Sequence, residues 1–298
     1  MRLAIAVVYL VADSDDNKLL EVHLDQIEKN TPEPYVLYAA ANRLPECLRH
    51  ALARHPNVSI RDLPATELRG SLENAFYLEL LVKAAIEDGA THVCTLHMDS
   101  FPVRPGWATE LAGRLHGGCV LVGLERDPDL DRKPLTAFLL FTREFYLTYQ
   151  PTFHLPEEAL GTAEYLRYTR SCPHTRDSGA GYGFKIFREG LSWYRLVRTD
   201  HGPDGWGFGI FGDTVFHLGG GQWFPQENAG APRPGRLTFG LERIWNAARL
   251  VLPRGLQSRI GQLVPWALRM EVGHSRVARR KAELVRAPEA FLRNLSLG

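Results

Sequence analysis

The sequence contains no run approaching the ~18 consecutive apolar residues needed for a membrane-spanning helix, which excludes that architecture. Cysteine is scarce. The 4 residues Cys47, Cys94, Cys119 and Cys172 form no Cys-x-x-Cys pair and have no zinc-finger spacing, so neither a disulfide framework nor a zinc module is expected. Scattered single cysteines fit a reducing, cytoplasmic compartment. Excess charge is also missing: the net value is +1, which gives no global argument for nucleic acid. There is no internal repeat, no low-complexity tract, and no Gly-rich Lys/Arg string near the N-terminus of the kind that cradles a triphosphate.

What is present is an ordinary globular composition, 298 residues with 45% hydrophobic and 23% charged side chains. The charge is unevenly spread. Residues 233–298 hold 13 Lys/Arg against 4 Asp/Glu, whereas the rest of the chain holds 22 against 30. An acidic body with a basic tail suggests that the tail meets something anionic. At the other end, Leu3–Ala12 follows Arg2 and could mimic a signal-peptide core. It is rich in β-branched residues, has no small-residue cleavage site, and runs into Asp13-Ser14-Asp15-Asp16, so it reads as a first buried strand.

Strand and helix patterns then alternate. Leu3–Val11, Tyr35–Ala40, Val58–Leu63 and Thr91–Leu96 read as strands. Between them, helices are expected over Leu19–Lys29, from Pro45 to about Arg54, and over Ser71–Asp88, with Gly89 at the end of the last. In that helix Leu72, Ala75, Phe76, Leu80 and Lys83 follow the 3.6-residue period. Such alternation predicts an α/β fold, a mostly parallel sheet flanked by helices. Further on, Cys119–Leu124, Ala137–Phe141 and Trp193–Val197 read as strands and Gly181–Glu189 as a helix, while Thr148–His174 reads as irregular or partly helical. Pro225–Gly235 looks like a linker, and Leu237–Leu252, Leu256–Met270 and Ser275–Leu297 read as basic amphipathic helices.

Three segments carry chemistry. In Leu96-His97-Met98-Asp99 a hydrophobic strand ends abruptly in polar residues, and ligands of open α/β sheets bind beyond the carboxyl ends of strands. Asp99 there either holds Mg²⁺ or Mn²⁺ or merely caps the turn that Pro102 and Pro105 enforce. Asp177, before the Gly181–Glu189 helix, lies near a helix N-terminus that favours its ionised form, and by itself reads as an N-cap. His217, in Val215-Phe216-His217-Leu218, is followed by three glycines that allow close backbone approach to a diphosphate, and by itself reads as a structural histidine. A histidine beside a carboxylate suits Mn²⁺ better than Mg²⁺.

The order Gly70-Ser71, long helix, Gly89-Ala90, strand, His97-Met98-Asp99, Pro105-Gly106-Trp107 resembles family 2 and related glycosyltransferases of the A fold. Asp177-Ser178-Gly179, helix, Gly190, strand resembles a second block of the same enzymes. The resemblance covers residues 3–221 and rests on the order and spacing of elements. It implies a nucleotide-diphospho-sugar transferase-like catalytic domain over 1–232, with a basic helical extension over 233–298. It also implies a metal held by Asp99 and His217, and an inverting reaction with Asp177 as base. His97 stands where the family has the first Asp of its Asp-x-Asp element, so it is a ligand, a nucleotide contact or structural. Ala12, Asp13 and Asn42 fall where the fold recognises the donor's base, and Arg69 and Ser71 at a helix start suited to a diphosphate. Trp107 and Trp206 are candidate sugar contacts, and Arg126 and Asp127 follow another strand end. The implied partners are a nucleoside diphosphate sugar donor and a glycan, lipid-linked or small-molecule acceptor, with no nucleic acid. For the basic tail, in which Arg276, Arg279, Arg280 and Lys281 form a cluster, the leading expectation is that its apolar faces pack on the catalytic domain with the arginines solvated, and the weaker one is peripheral membrane contact. The competing readings are a nucleotidyltransferase and a non-catalytic carbohydrate-binding protein on a degenerate version of the fold.

Overall fold

The computed structural model describes residues 1–11, 14–127, 131–171, 178–200, 208–219 and 277–297. Strand β1 (Leu3–Leu10) is buried at every position, as its unbroken apolar run requires in a sheet covered on both faces. It is an interior strand of a seven-stranded sheet with β2 (Tyr35–Arg43), β3 (Val58–Arg61), β4 (His92–His97), β6 (Cys119–Asp127), β7 (Asp131–Thr142) and β8 (Ser192–Leu196). The strand order is β3-β2-β1-β4-β7-β6-β8. Pairings within β3-β2-β1-β4 are parallel, β6 and β8 are parallel, and β7 runs antiparallel to both its neighbours. The sheet is therefore mostly parallel, as the βα alternation predicted. The strand over Ala137–Phe141 begins earlier than expected, at Asp131, and takes in Pro134 where the β6–β7 register is irregular; proline is tolerated at such a position.

A second, antiparallel sheet of three short strands has the order β5 (Ser100–Pro102), β10 (Val215–His217), β9 (Gly209–Phe211). It starts where β4 ends: Met98 and Asp99 make the turn between β4 and β5.

One face of the large sheet is covered by α1 (Ser14–Asn30) and α4 (Trp107–Ala112), the other by α3 (Ser71–Glu87), α5 (Arg143–Tyr149) and α7 (Ala180–Arg188). The edge helix α2 (Glu46–Ala53) begins behind Pro45 as expected. The face that α3 buries differs from expectation. Ala75, Leu78, Leu81, Val82, Ala85 and Ile86 are inside, whereas Leu72 is 49% exposed. The helix is apolar around most of its circumference, so more than one stripe satisfies a 3.6-residue period, and the sheet selects one. The stretch Thr148–His174 holds more order than expected, with α6 over Ala163–Ser171 after a short 3₁₀ turn at Glu157–Ala159.

At the C-terminus, residues 277–286 and Pro288–Leu297 are helical. Leu284, Leu292 and Leu295 enter the same core as α1 and the small sheet, and Phe291 packs edge-on against Phe216. Each buried leucine contributes roughly 1.5–3 kcal/mol. The exposed Lys29–Glu289 pair beside them is worth ~1 kcal/mol at most, so burial holds these helices in place. The basic cluster Arg276, Arg279, Arg280 and Lys281 is divided. Lys281 is buried in a 2.9 Å ion pair with Asp16, and Arg280 lies 3.7 Å over the Phe208 ring. Arg279 is exposed, and Arg276 lies outside the described residues, as do the Pro225–Gly235 linker and the expected helices Leu237–Leu252 and Leu256–Met270. No described helix is long and apolar enough to cross a membrane.

Candidate metal centre

The apolar run of β4 stops at His97, and the buried Met98 side chain anchors the turn that follows. Ser100 sets that turn: its hydroxyl accepts from the His97 N–H (2.9 Å) and donates to the Ala137 carbonyl. Asp99 is thereby held with its carboxylate almost fully buried, at 1% exposure. The small sheet brings the distant partner. β10 pairs with β5 in the register His217↔Ser100, and the Leu218 N–H donates to the Asp99 carbonyl at 2.9 Å. Two segments more than a hundred residues apart thus meet at the carboxyl end of the large sheet.

Asp99 Oδ1 lies 3.9 Å from His97 Nδ1 and 3.7 Å from His217 Nε2. One ligand atom from each residue falls within 4.8 Å of the others. A cation bound at ~2.0–2.2 Å from each donor requires separations of that order after a small inward adjustment. Two imidazoles around one carboxylate is also a donor set that borderline transition ions favour, so these residues fit a divalent metal. His97 is the more exposed member, its side chain at 23% against 6% for His217, so the approach to the centre is on its side.

Behind the turn lies a third histidine, His23 of α1, fully buried between Tyr9 and Phe101. Burial pushes its pKa down to about 3, against the opposing pull of Asp99 and of the Met98 and Ser100 backbone. His23 is neutral at physiological pH and packs as an aromatic.

His97 is itself braced. Its Nε2 lies 3.0 Å from Thr136 Oγ1 on β7 and 3.4 Å from the Asn74 amide in the first turns of α3. Thr136 Oγ1 continues to Ser178 Oγ at 2.9 Å. Ser178 follows Asp177, the expected base, and stands two residues before α7. Asp177 itself, with Ala12, Asp13 and Trp206, lies outside the described residues, and so do the side chains of Arg126 and Asp127. Asn74, Thr136 and Ser178 were not foreseen. The one signal in the sequence was Thr136, a polar residue next to the apolar run Ala137–Phe141.

The remaining sequence candidates occupy other positions. Asn42, at the end of β2, donates its amide to the Leu63 carbonyl at 2.8 Å. Arg69 donates to the Thr66 and Leu68 carbonyls of its own loop. Ser71 opens α3, and its carbonyl receives the His154 ring at 3.0 Å. Trp107 requires a correction. It is fully buried, donates its indole N–H to Thr31 at 3.1 Å and meets Phe138 edge-on, so it has no face for a sugar. An apolar ring that closes a helix onto the sheet is worth more inside, and the Gly-Trp spacing did not reveal which side of the chain it would take.

α3 and the start of α7 are joined through Phe153. Glu79 accepts from the Phe153 N–H, and the Phe153 carbonyl accepts from the Gly179 and Gly181 N–H groups at 2.9 and 3.3 Å. Burial lifts the Glu79 carboxyl from 4.5 to about 7, partly offset by that N–H, and the facing Tyr146 and Tyr182 titrate above their ordinary range. A carboxyl whose folded pKa is raised stabilises the fold while protonated. That stability is fully present below the unfolded value and is lost as pH rises through about 7. Glu79→Gln keeps an acceptor oxygen and cannot titrate. The stability of wild type relative to Glu79→Gln is therefore expected to fall between about pH 4.5 and 7, by on the order of 3 kcal/mol at most. Urea unfolding of both proteins across that range measures it. The difference cancels His23, whose slope has the opposite sign, and a flat difference would rule out burial of a titrating Glu79.

No protein-family model and no curated protein matches this chain. Among solved structures it is similar to a mannosyltransferase from Pyrobaculum calidifontis in complex with GDP-Man and Mn²⁺, at 16% identity and TM-score 0.36, covering 49% of this chain and 46% of that one. It is also similar to S. aureus TarS 1-349 in complex with UDP-GlcNAc, at 10% identity and TM-score 0.42, covering 68% and 60%. A third is mouse xyloside xylosyltransferase 1, apo form, at 11% identity and TM-score 0.42, covering 66% and 85%. The chain thus spans about half of the first of these proteins and three-fifths of the second.

Proposed function

We propose that the chain is a glycosyltransferase. It moves a sugar from a nucleoside diphosphate donor to a hydroxyl acceptor with inversion, and His97, Asp99 and His217 hold a divalent ion. The observation that carries this reading is the convergence of those three side chains at the carboxyl end of a mostly parallel sheet, where such folds bind ligands. When bound, the ion would offset the negative charge that develops on a leaving diphosphate. Ser71 and the other N–H groups at the start of α3 bear on the same region through Asn74, and helix N-termini favour phosphate oxygens. Asp177 is the proposed base: inversion needs the acceptor hydroxyl deprotonated as it attacks from the face opposite the leaving group. A nucleotidyltransferase is less well supported, because it calls for paired acidic ligands and this cluster, among the described residues, holds one carboxylate. A non-catalytic binding protein would take up donor without releasing nucleoside diphosphate.

A thermal-shift screen of nucleoside diphosphates, with Mn²⁺, with Mg²⁺ and without metal, tests the reading. Ligand that binds only the folded state adds ~2.7 kcal/mol at a hundredfold excess over Kd. The expected result is stabilisation by one nucleotide that depends on metal, stronger with Mn²⁺ than with Mg²⁺ because two of the three donors are imidazoles. Equal shifts with and without metal would reject the centre. Release of nucleoside diphosphate from a bound donor then separates enzyme from binding protein.

A further inference from the structure

We infer that Thr136 is a positioning residue for the metal centre: its hydroxyl selects the nitrogen of His97 that faces the ion and ties that histidine to the start of α7. The inference rests on the metal reading above and goes beyond it, since Thr136 touches neither metal nor substrate.

Thr136 is fully buried on β7, where a hydroxyl is costly unless it is hydrogen-bonded. Its backbone is held by Thr95, whose hydroxyl donates to the Thr136 carbonyl at 2.9 Å. β-Branching restricts its χ1, so the hydroxyl direction is set by the strand. It has two partners. His97 Nε2 stands 3.0 Å away and Ser178 Oγ 2.9 Å away. With Nδ1 turned to the ion, one hydroxyl satisfies both by accepting from an Nε2–H and donating to Ser178, and the Asn74 amide, 3.4 Å from the same nitrogen, then presents its oxygen to that proton. That assignment puts the ring proton of neutral His97 on Nε2 and the lone pair on Nδ1, the nitrogen that faces Asp99 Oδ1 at 3.9 Å. Histidines that bind metals commonly have their second nitrogen fixed in this manner.

The link to α7 has independent support from packing. Gly179 has φ +89°, and a Cβ there would lie 2.6 Å from the Pro134 carbonyl oxygen and 3.4 Å from Thr136 Cγ2. Residues 134–136 of β7 are thus the floor on which the start of α7 rests. A single strand position therefore sets the orientation of a metal ligand and the height of the segment that follows Asp177.

The test is Mn²⁺ affinity measured by electron paramagnetic resonance on the full chain, for wild type, Thr136→Val and Thr136→Ser. Valine keeps the shape and removes the hydroxyl, while serine keeps the hydroxyl. Thr136→Val is expected to weaken Mn²⁺ binding 10–100-fold, the scale for loss of a partner behind a ligand, and Thr136→Ser to recover most of it. Wild-type affinity in the valine variant, or equal losses in both variants, overturns the inference and leaves the metal centre standing. No Mn²⁺ binding by wild type overturns the centre and the inference together. Should valine prevent folding, ¹⁵N NMR of the His97 ring in metal-free wild type at alkaline pH decides the question. A proton on Nε2 supports the inference and a proton on Nδ1 overturns it.

Discussion

Asp99→Ala is expected to abolish Mn²⁺-dependent binding of a nucleoside diphosphate while the protein stays folded. Asp99 is the sole carboxylate of the three-residue cluster, and its Oδ1 is common to both short distances in it. Without it two imidazoles remain, a set without the negative charge that draws a divalent ion. The fold is expected to survive because the Ser100 hydroxyl, which accepts from the His97 N–H and donates to the Ala137 carbonyl, still fixes the turn. The backbone bonds that shape the turn also remain, since the Asp99 carbonyl still receives the Leu218 N–H. Thermal shift shows the effect directly: the unfolding midpoint in plain buffer stays near wild type, and the increment from Mn²⁺ plus nucleotide disappears. Unchanged metal dependence would sink the centre. His217→Ala weakens the same increment less, because one carboxylate and one imidazole are left.

Asp177→Asn is expected to lower the transfer rate ~10²-fold or more with donor binding retained, the usual scale for losing a general base. Asparagine preserves size and can still cap a helix, but it cannot take up the acceptor's proton. The substitution therefore separates the two roles open to this residue. A rate near wild type would reduce Asp177 to a cap, and a product of retained anomeric configuration would remove the need for a base in this role. Its neighbour Ser178 is bonded to Thr136, and Thr136 to His97, so damage transmitted along that path would also change Mn²⁺ affinity. Measuring Mn²⁺ binding in Asp177→Asn distinguishes loss of the base from disturbance of the centre.

The elements that could be read from the residues were those whose environment repeats along the chain. β1 is an uninterrupted apolar run, and a strand buried on both faces needs nothing else. The alternation through α3 and β4 predicted the parallel half of the sheet, because a helix between two strands returns the chain in the same direction. Pro45 and Gly89 marked helix ends by removing a donor and by accepting a positive φ, at 86° for Gly89. Where the environment does not repeat, the sequence was ambiguous. α3 has two apolar stripes and only packing chose between them. Trp107 carried the spacing of a motif and took a place in the core.

Asp99 and His217 were legible as candidates, each at the end of an apolar run, and the family resemblance implied that they share a metal. The side-chain types, the strand endings and the likelihood of an oxygen-and-nitrogen donor set were therefore determined by the sequence alone. Their meeting was decided only by the tertiary structure, through the register of two three-residue strands that pairs His217 with Ser100. Strands that short carry no periodicity, and their pairing depends on what surrounds them. The same holds for Thr136, Asn74 and Ser178, which come from β7, α3 and the approach to α7 to brace one imidazole. A hydrogen bond between side chains tens of residues apart leaves no trace in local composition, because its geometry is set by how whole elements stack.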